Sequence, residues 1–180
     1  MLREWVMPAD RIATSLYDQD LDAWAMSQAA ALRSAGDAVA RGADGRDERL
    51  RALDWDNLAE EIEGLAKKDR RELASRLALI VEHLVKLEFS PASAPRAGWG
   101  DTILRERAAI ALILRDSPSL RRALPDILTD GMAGAIDLAA RSLEHHGEAE
   151  AAGDARKARL GSGYALADVF GPGLPDEPAS

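Results

Sequence analysis

The chain is 180 residues long, with 31 acidic and 23 basic side chains and a formal net charge of −8. That length builds one hydrophobic core rather than two. The acidic excess is repelled by phosphate backbones, which disfavours bulk nucleic-acid binding. Hydrophobic residues make up 47 % of the chain but aromatics only 4 %, and much of the apolar fraction is alanine. Close-packed helices fit that balance better than a β-sandwich. The absence of cysteine excludes disulfides, thiolate metal sites and a cysteine nucleophile. No stretch reaches the roughly 18 apolar residues that cross a bilayer. The first segment carries Arg3, Glu4, Asp10 and Arg11 instead of a signal-peptide run. The expectation is a soluble, cytoplasmic, helical protein with no cofactor, no metal and no membrane association.

Residues 1–15 read as an N-terminal arm broken at Pro8. A first helix starts near Asp18, where Asp18 and Asp20 complement the exposed N–H groups. Leu21, Trp24, Gln28, Leu32 and Ala35 then form a stripe at steps of three and four. Gly36 is read as its stop. Residues 36–52 are rich in Gly and charge and predict a connection with a short helical turn at 47–52.

The second helix has the clearest start. Asp54 suits the N-cap, with Leu53 and Leu58 placed as a hydrophobic staple. Leu58, Ile62, Leu65, Leu73, Leu77, Ile80, Leu84 and Leu87 predict a buried stripe along Trp55 to Phe89. Such a helix is about 50 Å long at about 1.5 Å per residue. Its middle, AKKDRREL, is charged. Residues 90–100 predict a loop, and a third helix runs from about Asp101 to Arg115, with Ile103, Arg107, Ile110 and Leu114 on one face, widened by Leu104 and Ala111. Ser117 as N-cap and Pro118 as first residue predict a fourth helix over 118–146, kinked at Pro125. Gly131 and Gly134 read as positions of close helix approach, and Gly147 as the residue just past the helix end. Residues 147–163 read as a linker or frayed helix. Tyr164, Leu166, Val169 and Phe170 form a small docking segment before an extended tail. The implied organisation is an arm (1–15), a helical bundle (16–146), and a linker, docking segment and tail (147–180).

Several of these segments resemble a bacterial domain-of-unknown-function family, number 29. They are Leu16-Tyr17-Asp18-Gln19-Asp20 with Ala23-Trp24-Ala25, then Leu53-Asp54-x-x-Asn57-Leu58-Ala59-Glu60-Glu61-Ile62-Glu63, then His83-Leu84-Val85-Lys86. Trp99 with Thr102-Ile103 is similar to a further motif of the family, although Ala97 and Gly98 stand where serines are usual. Ser117-Pro118-Ser119-Leu120 matches in full. The resemblance covers about residues 16–146 and implies an all-helical bundle. It implies no activity and carries over no catalytic residue.

Four groups of residues could carry chemistry. Asn57, Glu61 and His83 with Trp99 are the candidate polar pocket, read either as a metal or proton-transfer site or as hydrogen bonds between helices. A di-iron carboxylate bundle needs Glu-x-x-His pairs on two helices, and the chain has none. Arg141 with His145 and His146 resembles the motif of HEPN ribonucleases, so Arg141 and His146 are the candidate catalytic pair. The same residues equally suit a surface pair and a helix end. Lys67, Lys68, Arg70, Arg71 and Arg76 could bind phosphate or a partner, but the interleaved Glu63, Asp69 and Glu72 favour a solvated, salt-bridged face. Trp24, Trp55 and Trp99 suit core anchoring or an aromatic-lined pocket.

The sequence therefore predicts an all-α, up-and-down bundle of four main helices, with a long second helix and a small C-terminal docking segment. The function it favours is a non-enzymatic interaction or binding module, engaging a protein partner or a second copy of itself. The alternative is a metal-dependent or HEPN-like hydrolytic enzyme.

Overall fold

Asp54 opens the longest element as its position predicts: its side chain accepts from the Asn57 backbone N–H, and the helix runs unbroken for 35 residues. In the computed structural model, residues 15–42 and 48–171 are described. The predicted arm up to residue 14, the centre of the Gly-rich connection and the tail after Gly171 lie outside them. The described elements, in chain order, are α1 (Leu16–Gln19), α2 (Leu21–Ala40), α3 (Glu48–Arg51), α4 (Trp55–Phe89), α5 (Arg96–Asp116), a 3₁₀ segment (Pro118–Ala123), α6 (Leu124–His145), α7 (Ala149–Arg159) and α8 (Leu166–Phe170). Among the described residues there is no strand. The fold is all-α, and α4 is its spine: α2, α5 and α6 all pack along it.

The core lies between the C-terminal half of α4 and its neighbours. Leu73, Leu77, Ile80, Val81 and Val85 of α4 meet Ile103, Ile110 and Leu114 of α5, and Leu124, Ile127, Leu128 and Ile136 of α6. Tyr164, Val169 and Phe170 seal one side, so the predicted docking segment docks. Arg107, read as part of an apolar face, is half-buried because its guanidinium reaches α8. Its Nε donates to the Val169 carbonyl at 2.7 Å, at the helix end where a cation is favoured.

The N-terminal halves of α2 and α4 pack differently. The buried positions are Ala25 and Ala29 on α2, and Ala59 and Ala66 on α4. The sequence stripe names their larger neighbours, and the structure corrects it. Gln28, Leu58 and Leu65 are exposed, and Trp24 and Leu32 only flank the contact. Small side chains let two helix backbones approach closely, so the large residues are displaced to the rim. Gly36 belongs to the same contact. It does not end α2, which continues to Ala40. A Cβ at Gly36 would stand 2.6 Å from Trp55 Cβ.

Three further boundaries differ from the sequence reading. Helix α5 begins at Arg96, inside the predicted loop, because Arg96 folds back over the end of α4 and donates to the Leu87 carbonyl at 2.7 Å. Pro125 does not kink a fourth helix: residues 118–123 form a 3₁₀ segment, and Pro125 sits in the first turn of α6, where its missing N–H costs nothing. Residues 149–159 form α7, a packed helix in place of the predicted linker or frayed helix, with Ala152 and Ala155 buried against the bundle. Gly147 takes φ +83° and ends α6 as predicted. A Cβ at Gly131 or Gly134 meets nothing within 4 Å, so neither marks a close helix approach.

Candidate functional site

The charged middle of α4 lies opposite the first turns of α6. Lys67, Arg70, Arg71 and Ala74 recur at i, i+3, i+4 and i+7, so they share one helix face. Asp126, Ile127, Asp130 and Gly131, two i, i+4 pairs side by side, occupy the start of α6. Together they line a groove of about 420 Å³. Ala74, Ile127 and Gly131 give it an apolar floor between three basic residues on one wall and two acidic residues on the other. The basic run predicted from sequence is thereby split. Lys67 pairs with Glu63 at 3.0 Å. Arg76 pairs with Glu72 at 2.7 Å and with Glu106 at 2.8 Å, as a salt-bridged face would. Arg70 and Arg71 make no ion pair among the described residues, and neither do Asp126 and Asp130.

Arg70 borders a polar junction beside the groove. Asp20, the N-cap of α2, accepts from the Ala23 N–H at 2.9 Å. Its other oxygen, Oδ2, accepts from the Ser119 N–H at 2.6 Å, and the Ser119 hydroxyl donates to Oδ1, the oxygen that holds the Ala23 N–H, at 2.8 Å. Asp22 Oδ2 lies 3.2 Å from the same hydroxyl. Ser117 makes no cap bond as an N-cap would. It is fully buried and donates to Asp69 Oδ2 at 3.1 Å. Burial pushes the Asp22 carboxyl above the ordinary aspartate range, with Asp20 and Asp69 adding to the rise, against the opposing Ser119 hydrogen bond and the Arg70 charge. The junction thus ties the start of α2, the middle of α4 and the 3₁₀ segment into one unit. Residues 16–150 match the family model described as Domain of unknown function DUF29. The chain belongs to that family. Two of the segments that carry the DUF29 resemblance, around Asp20 and at Ser117–Leu120, are the two that meet at this junction. No curated protein and no solved structure matches the chain.

The residues singled out from the sequence stand elsewhere. Asn57 is exposed, and its side-chain amide donates to Asp54 at 2.6 Å, reinforcing the α4 cap. Glu61 is exposed one turn on. His83 is half-buried, with Nδ1 2.8 Å from the Leu79 carbonyl. It lies about 33 Å along α4 from Glu61 at about 1.5 Å per residue. Trp99 is half-buried in the first turn of α5. Arg141 is exposed and pairs with Asp137 at 2.7 Å. His146 is exposed at the end of α6, with Nδ1 2.7 Å from the Ser142 carbonyl. Trp24 stacks edge-on against Tyr17 at 4.8 Å, and Trp55 donates from Nε1 to the Leu50 carbonyl at 3.0 Å. Among the described residues, no group of three or more His, Asp or Glu side chains is placed to hold a metal ion, and no helix is long and apolar enough to cross a membrane.

A second groove, of about 380 Å³, lies between α4 and α8. Its polar groups bind one another. Tyr164 donates to Glu88 at 2.6 Å, Arg159 donates to Glu88 at 2.6 Å, and the Arg159 guanidinium lies 4.4 Å from the Tyr164 ring centre. This cluster latches the docking segment and α7 to the spine. The α4–α6 groove differs in that Arg70, Arg71, Asp126 and Asp130 make no ion pair among the described residues, although Lys67 at its edge is held by Glu63. Asp126 and Asp130 were not singled out from the sequence. The available signal was two aspartates one turn apart at a helix start, which reads equally as dipole complementation.

Proposed function

We propose that the chain is a non-enzymatic binding module and that the α4–α6 groove is its recognition surface. The reading is carried by one observation: Arg70 and Arg71 face Asp126 and Asp130 over an apolar floor, with no ion pair to any described residue. A surface of this kind suits an amphipathic segment of a protein partner. An apolar side chain of that segment rests on Ala74 and Ile127. An acidic neighbour meets the two arginines, which offer planar, bidentate donors, and a basic neighbour meets the two aspartates. Charges of both signs fix the direction in which such a segment lies.

The test is recovery of the tagged protein, gently cross-linked at native concentration, from its own cells. A partner held by the unaltered chain should be lost on Arg71→Glu and on Asp130→Arg, with circular dichroism unchanged in both. Undiminished recovery by both variants, or no partner at all, overturns the proposal.

A further inference from the structure

We propose that α5 is a self-association surface, on which a second copy of this chain packs its own α5 antiparallel about a two-fold axis at Ala108. The proposal goes beyond the groove and does not rest on it. Helix α5 packs on α4 through Ile103, Ile110 and Leu114. Its opposite face carries Leu104, 63 % exposed, and Leu112, 54 % exposed. Leu104 is the most exposed large apolar residue among those described. Ala108 lies midway between them and is exposed too. At about 100° per residue, Asp101, Leu104, Ala108, Leu112 and Arg115 fall within about 80° of one another around the helix.

The order of residues along this stripe identifies its occupant. An antiparallel pair related by a two-fold axis brings together positions equidistant from the centre. With Ala108 at the centre, Leu104 of each copy meets Leu112 of the other. Asp101 of each copy meets Arg115 of the other. Alanine meets alanine at the crossing, where a small side chain permits close approach. The stripe is thus complementary to itself in shape, in apolarity and in charge. Asp101 makes no ion pair among the described residues, while Arg115 holds only its exposed chain neighbour Asp116 at 3.0 Å. An adjacent surface pair of that kind is weak and yields readily to an inter-subunit one. A single helix pair buries an area at the low end of stable interfaces, so the dimer is concentration-dependent.

Sedimentation velocity of the full chain over a wide concentration range reads the self-association. The expected result is a monomer–dimer equilibrium that Leu112→Glu abolishes. Asp101→Arg should weaken the dimer at least tenfold, and the double variant Asp101→Arg, Arg115→Asp should restore it. A chain that stays monomeric throughout overturns the proposal, as does a dimer indifferent to Leu112→Glu or to the charge swap. All these positions are exposed, so circular dichroism should confirm that the variants fold. The chain has no native cysteine, which permits an independent check. Ala108→Cys should form a disulfide dimer under mild oxidation, and Ala133→Cys, on an exposed face of α6, should not. Equal cross-linking of the two refutes the axis. Arg71→Glu should leave the dimer intact, so failure here and failure of the groove are distinguishable.

Discussion

Replacing Gly36 by alanine inverts the usual sign of that substitution. Inside a helix, Gly→Ala stabilises by about 1 kcal/mol, because alanine restricts the unfolded backbone and glycine does not. At Gly36 the added Cβ would lie 2.6 Å from Trp55 Cβ and 2.9 Å from its Cγ. Those atoms are anchored at the backbone of the first residue of α4, and the Trp55 indole is held by its hydrogen bond to Leu50. Relief therefore requires α2 and α4 to move apart along their alanine seam. Overpacking of this kind costs about 1–3 kcal/mol. Set against the propensity gain, the net loss is about 1 kcal/mol, a fall in Tm of about 2–4 °C for a chain of this size. Gly64 is the control. It lies inside α4, and a Cβ there meets nothing within 4 Å, so Gly64→Ala should raise Tm by about 2–4 °C. Thermal and urea denaturation of both variants measure the difference. In a Trp55→Gly background, which removes the Cβ as well as the ring, the penalty at Gly36 should disappear, which a double-mutant cycle would isolate. If Gly36→Ala stabilises as much as Gly64→Ala, the close approach of α2 to Trp55 is wrong.

Asp20→Ala removes both the α2 cap and the hold on Ser119, and should cost about 2–4 kcal/mol by urea titration, against about 1 kcal/mol for Ser119→Ala. Ser117→Ala removes the hydroxyl donor to the half-buried Asp69 carboxylate and should cost about 1 kcal/mol. Burial pushes the Glu88 carboxyl up, but Arg159 and Tyr164 outweigh it and leave it below the ordinary glutamate value of 4.5. A depressed carboxyl contributes stability above its unfolded pKa and loses it as pH falls through the folded one. Acid titration should therefore destabilise the unaltered chain below about pH 4.5 more steeply than Glu88→Gln, which lacks that dependence. Asp22 has the opposite sign: its raised pKa makes the charged form a liability as pH rises through it. Asp22→Asn should raise Tm at pH 7, and the gain should vanish near pH 3.

Much of the scaffold is legible locally because its signals are local. Asp54 caps α4 by accepting from an N–H only three residues away, and the absence of proline between Asp54 and Pro91 leaves that helix free to continue. Gly147 stops α6 with a backbone angle that costs other residues strain. The errors share a cause in packing. Leu58 and Leu65 outrank Ala59 and Ala66 on any hydrophobic scale, yet the alanines are buried, because a close helix approach selects small volume over apolar area. Helix α7 escapes notice for the same reason: its buried residues are Ala152 and Ala155. The groove combines one visible half with one hidden half. The run from Lys67 to Arg71 is conspicuous, but which of its charges find partners depends on Glu63, Glu72 and Glu106, and the last belongs to another helix.

The sequence by itself determines the class of the fold, the length and cap of the spine helix, the docking of the Tyr164–Phe170 segment and membership of the family. Each rests on periodicity, capping or an ordered set of motifs, and these survive without knowledge of any neighbour. Only the tertiary structure decides that Asp20 grips Ser119 across 99 positions of chain, that Arg107 binds the end of α8, and that Arg70 and Arg71 look across at Asp126 and Asp130. The energy of a charge or hydrogen bond depends on distances of a few ångströms and on water excluded around it, and helix packing sets both.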